Sequence, residues 1–144
     1  MFKKIVVAYN DSHESERALR AAIQLAKSLN AELHAVTVMT GLPAYTAFAE
    51  VPDSSLSQVL QDDQANSHEI LQRKALRMAQ ENGIELRNHG VEGREIDVIV
   101  NFLRREKADL LVVGLHKRDL YIARLWSTVY ELAQESPCSV LGVH

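Results

Sequence analysis

The sequence predicts an α/β domain built on an open parallel sheet with helices on both faces. Three observations carry that prediction. Short apolar runs rich in β-branched residues, at 5–9, 33–39 and 109–114, have the length and unbroken hydrophobicity of strands buried on both sides. Between them lie stretches in which apolar residues recur every three or four positions, the spacing of a helix with one buried stripe. The two kinds alternate along the chain, which implies parallel strands joined by right-handed crossovers. With 144 residues, 47% of them hydrophobic and 24% charged, one domain spanning 1–144 with a single core is expected.

Residues 5–9 read as the central strand. Asn10-Asp11-Ser12-His13-Glu14 then offers a helix start in which Asp11 caps and Glu14, three residues on, returns the bond. Ala18, Leu19, Ala22, Ala26 and Leu29 form the stripe of the first helix, and Asn30 ends it. The second strand follows at 33–39. Residues 40–55 contain Gly41, Pro43 and Pro52 and have no period; Tyr45 and Phe48 make this loop less polar than a plain linker. A long helix is expected over 56–81, imperfect around 62–67, with Leu56, Leu60, Ile70, Leu71, Ala75 and Met78 inward and Asn82-Gly83 as its left-handed stop.

Residues 84–91 read as a weaker strand, because Arg87, Asn88 and His89 interrupt its apolar pattern, and an edge position suits it. Gly93 turns the chain into a helix whose stripe is Ile96, Ile99, Val100 and Leu103. The strong strand at 109–114 ends in Gly114 and a loop opening with His116, Lys117 and Arg118. Ser127 and Thr128 start the last helix, where Thr128 and Glu131 match a capping box, and Val129, Leu132 and Ala133 are expected to face the sheet. Ser136-Pro137 stops that helix before a final strand at 138–143.

Charge and composition narrow the function classes. A net charge of −3 argues against a nucleic-acid binder, which needs a dense basic surface. No apolar run approaches the roughly 20 residues of a membrane helix, and the start enters a strand instead of a signal peptide's apolar region, so a cytoplasmic protein without membrane insertion is expected. The single cysteine, Cys138, lies in an apolar strand pattern and reads as a structural thiol. The histidines, at 13, 34, 68, 89, 116 and 144, have neither HxxxH spacing nor a cysteine cluster, and no metal site is expected. A G-x-S-x-G elbow and an intact Walker loop are both missing, so catalysis has no motif support.

The run Ala108-Asp109-Leu110-Leu111-Val112-Val113-Gly114, the loop from His116, the Ser127-Thr128 pair and Ser136-Pro137-Cys138-Ser139-Val140-Leu141 together resemble the C-terminal half of the universal stress protein family. Val7-Ala8-Tyr9-Asn10-Asp11-Ser12 resembles its opening, so the likeness covers nearly the whole chain. The resemblance implies an adenine nucleotide alpha hydrolase-like sheet in the order 3-2-1-4-5. Winding then reverses between the first and fourth strands, and a ligand crevice belongs at that reversal.

ATP-binding members of the family carry Gly-x-x-Gly, nine residues, then Gly-Ser or Gly-Thr. Counted from Gly114, the second glycine position holds Lys117 and the third holds Ser127; the first glycine and the hydroxyl of Thr128 are kept. The resemblance further implies that Ala8, Asn10 and Val38 lie on the adenine and ribose side, Asn10 standing where nucleotide-binding relatives have an acidic residue. Val113 and Val129 complete the implied set. ATP or AMP is thus the implied ligand at Ala8, Asn10, Val38, Val113, Gly114, Lys117, Ser127, Thr128 and Val129. The substitutions at 117 and 127 keep a second reading open, a nucleotide-free interaction module. A third, a nucleotide-activating enzyme, calls for Ser-Gly-Gly-x-Asp-Ser or His-x-Gly-His near the first strand, and Tyr9-Asn10-Asp11-Ser12-His13 matches neither. No enzyme activity is expected. The last strand lies at a sheet edge in the implied order, so a homodimer joined through 138–143 is expected.

Overall fold

The computed structural model describes residues 1–39, 54–116 and 128–144. Five strands pair in parallel, β1 (Lys4–Ala8), β2 (Glu32–Met39), β3 (Leu86–Glu92), β4 (Leu110–Gly114) and β5 (Ser139–Val143), in the order β3-β2-β1-β4-β5. The helices among the described residues are α1 (His13–Leu29), α2 (Ser54–Glu81), α3 (Glu95–Glu106) and α4 (Thr128–Glu135). Residues 40–53 and 117–127, and with them Tyr45, Phe48, Lys117 and Ser127, lie outside the described residues.

Side chains alternate across β1, and that alternation divides the core in two. Ile5, Val7 and Tyr9 join Ala18, Leu19, Ala22, Ile23 and Ala26 of α1 and Ala75 and Ala79 of α2 on one face. Val6 joins Val36, Ile99, Phe102, Leu103, Leu111, Val113 and Leu132 on the other, under α3 and α4. Each large apolar side chain so buried contributes on the order of 1.5–3 kcal/mol. The alanines of α1 let it lie close against β1 and β4.

Several details differ from the sequence expectation. The cap of α1 is Ser12, whose hydroxyl accepts the Ser15 N–H at 3.2 Å, and not Asp11. Asn10 causes the shift: its side-chain oxygen accepts the Ser12 N–H at 2.8 Å, so the chain turns at Asn10 and reaches helix one residue later. Leu29, Ile70 and Ala133 are exposed, while Ile23, Ala79 and Phe102 are buried. The buried stripes are shifted relative to those drawn from spacing. α2 is continuous through 62–67. α4 already includes Thr128, with Glu131 in its first turn.

Helix ends follow their residues. Asn30 and Gly83 take the left-handed conformation after α1 and α2, and Lys107 does so after α3, with φ 54°, although no glycine marks that stop. The polar interruption of β3 also has a structural cause. His89 lies 2.9 Å from Nδ1 of the buried His34 through its Nε2, and its ring also meets Phe102 at a centroid distance of 4.8 Å. Burial pushes both imidazoles below their ordinary pKa, which favours their neutral forms.

Candidate nucleotide crevice

In a doubly wound sheet the strand ends and the following helix starts gather at one side, and β1 and β4 diverge there. The chain leaves β1 through Ala8 and Tyr9 into the turn at Asn10. That turn is held from beneath by the buried Ser15, whose hydroxyl accepts the Asn10 N–H at 3.1 Å and donates toward the carbonyls of Asn10 and Ser12 at 2.8 and 3.0 Å. The Asn10 side-chain oxygen is engaged by the Ser12 N–H, and its NH2 group is a donor at the same turn.

A cavity of about 280 Å³ opens at this point, lined by Ala8, Asn10, Ser12, Glu14, Ser15, Glu95, Val113, Gly114, His116, Thr128, Val129 and Leu132. A second hollow of about 160 Å³ lies beside it, against Ala8, Tyr9, Asn10, Val36, Val38, Glu95 and Ile99. Ala8, Asn10 and Glu95 border both. Of the residues expected at the site, Ala8, Asn10, Val113, Gly114, Thr128 and Val129 therefore meet in one cavity, and Val38 faces the adjoining one. Lys117 and Ser127 lie outside the described residues. A larger groove of about 530 Å³ runs between α3 and α4, lined by Arg94, Asp97, Arg104, Glu131 and Glu135 among others. It lacks strand ends and is bordered largely by exposed charged side chains, so volume alone does not locate a ligand site.

Gly114 has a reason of its own to be glycine. A Cβ there would sit 2.3 Å from the carbonyl carbon and oxygen of Glu14. Its φ is not in the left-handed region, so what the position requires is close approach of two backbones, the end of β4 and the first turn of α1. That contact brings Glu14 into the crevice, with Oε1 3.3 Å from His116 Nδ1. The Glu14 carboxyl is held below the usual carboxylate range by its own backbone N–H, and further by the charges of His116 and Arg17 and the Ser12 hydroxyl.

Glu14 and Glu95 were missed by the sequence reading. Each stands in the first turn of a helix that follows a strand, and such turns face the same end of the sheet as the crevice; that rule was the available signal. Among the described residues there is no cluster of three His, Cys, Asp or Glu side chains suited to a metal ion. No helix among them is long and apolar enough to cross a membrane.

The profile of the universal stress protein family matches residues 1–144. The chain belongs to the universal stress protein family. It is 32% identical over 144 residues to a universal stress protein of Methanocaldococcus jannaschii, covering 99% of this chain and 82% of that one. Universal stress protein YxiE of Bacillus subtilis is 29% identical over 148 residues, with 99% of both chains covered. Among solved structures, a universal stress protein in complex with cAMP superposes with a TM-score of 0.77 at 29% identity, covering 99% of this chain and 97% of the other.

Proposed function

We propose that this universal stress protein binds an adenine nucleotide as a regulatory ligand in the crevice between β1 and β4. The observation that carries the reading is the shared cavity of Ala8, Asn10, Val113, Gly114, Thr128 and Val129 at the reversal of strand order. The hollow beside Val38 extends it toward β2, on the side expected to take the base. The cAMP complex of a relative with the same fold adds support. Calorimetry should give saturable 1:1 binding of cAMP or AMP to protein stripped of ligand. An absence of heat at millimolar nucleotide, with none released on denaturing the freshly purified protein, would favour the nucleotide-free interaction module instead.

One observation favours a hydrolytic reading: a histidine beside a carboxylate, as in His116 and Glu14, is a common way to build a general base. A phosphoryl transfer site also needs a clamp on the phosphates, which no described lining side chain provides. We expect no turnover. Repeated ATP hydrolysis that disappears in His116→Ala would reverse this.

The reading extends to a homodimer through β5, the edge strand beyond β4. Leu141 is exposed there, whereas Val140 packs partly against the second core. Leu141→Asp should therefore turn a dimer into a monomer in light scattering without unfolding it, and a wild-type monomer at micromolar concentration would refute the dimer.

A further inference from the structure

We propose that Glu14 selects the crevice ligand by charge, acting as a resident anion that admits a nucleotide with a single phosphodiester charge and disfavours one with a terminal phosphate or a polyphosphate. The proposal deepens the reading of the crevice as an adenine-nucleotide site and rests on it. Gly114 is the family's kept phosphate-loop position, yet the side of it where a Cβ would stand is filled by the backbone of Glu14. On that side the glycine meets protein, while it also borders the cavity. Glu14 lines the same cavity as Gly114, Thr128 and His116, and its carboxylate has His116 as a partner at 3.3 Å.

A second carboxylate, Glu95, borders the cavity from the start of α3. Among the described lining residues the carboxylates are Glu14 and Glu95, and His116 is the one side chain able to carry positive charge. A cyclic phosphodiester brings one negative charge into this field. A terminal phosphate brings nearly two at neutral pH, and a triphosphate more. At separations of several ångströms near a protein surface, each added charge weakens binding by about tenfold. The cations in the sequence at Lys117, Arg118 and Arg124 are unchanged by substitution at 14, so a Glu14 variant isolates the carboxylate.

The test is competition binding of cAMP, AMP and ATP, without divalent metal, to wild type and to Glu14→Gln, which keeps the side chain's shape. Wild type should prefer cAMP to AMP and AMP to ATP. Glu14→Gln should tighten ATP by about tenfold and cAMP by less than about threefold. Salt gives an independent arm on unmodified protein: raising it from low to 0.5 M should narrow the cAMP-to-ATP ratio, because screening weakens the extra repulsion. ATP binding as tight as cAMP in wild type would overturn the proposal. So would a Glu14→Gln variant that shifts all three ligands equally, the mark of a merely structural role. If none of the three binds either protein, the nucleotide reading itself fails, a result distinct from loss of selectivity.

Discussion

The two ends of β4 each place a carboxylate against backbone, and they use it differently. Before the strand begins, Asp109 accepts the N–H groups of Lys3 and Lys4 at 2.8 and 2.9 Å through one oxygen, tying the chain's start to β4. Those two bonds hold the Asp109 carboxyl below its ordinary range. Where the strand ends, Glu14 rests against Gly114, bonded to its own N–H and beside His116, in an open cavity. Asp109 is a structural clasp because its partners are fixed main chain of a neighbouring strand. Glu14 instead borders an open cavity, with its carboxylate beside His116.

The comparison breaks most visibly at Gly114. Gly114→Ala forces a Cβ to 2.3 Å from Glu14 main chain, and neither backbone is free to yield without moving α1 off β4. A loss of about 3 kcal/mol is expected, the upper part of the range for overpacking, read from denaturant midpoints. An unchanged midpoint would mean that the close contact is not fixed in solution.

Asp109→Ala should cost less, about 1 kcal/mol, since water can reach the Lys3 N–H that it frees. Nucleotide affinity should not change, and a parallel loss of affinity would show that the two ends are coupled. The acid dependence has a definite sign. Because the folded-state pKa of Asp109 is depressed, its contribution is complete above the ordinary value of 3.8 and is lost as pH falls through the lower folded value. Wild type and Asp109→Ala should therefore converge in stability only in strong acid. Convergence already at pH 5 would contradict the clasp.

Much of the fold was legible. β1, β2 and β4 announce themselves as unbroken apolar runs because both faces of a central parallel strand are covered. Strand order was not in the periodicity; it came with the family resemblance. Residues 87–89 broke the pattern of β3, since spacing alone cannot reveal that His89 finds His34 from a neighbouring strand and Phe102 from α3. The helix start was placed one residue early because Asp11 and Ser12 are both good caps, and the choice was made by the Asn10 turn. In the candidate crevice, the resemblance pointed to Ala8, Asn10, Gly114 and Thr128, which line one cavity, while Glu14 and Glu95 were hidden because a charged residue in a first helical turn ordinarily serves the helix dipole.

The central claim is that the end of the sheet where β1 and β4 part is the ligand face. Amide chemical-shift mapping with cAMP tests it most directly, because it reports place and binding together. The account predicts saturable shifts at Ala8, Asn10, Gly114, Thr128 and Val129, with the Asp109 end of β4 unmoved. Shifts confined to the groove between α3 and α4, or none at millimolar cAMP, would contradict it.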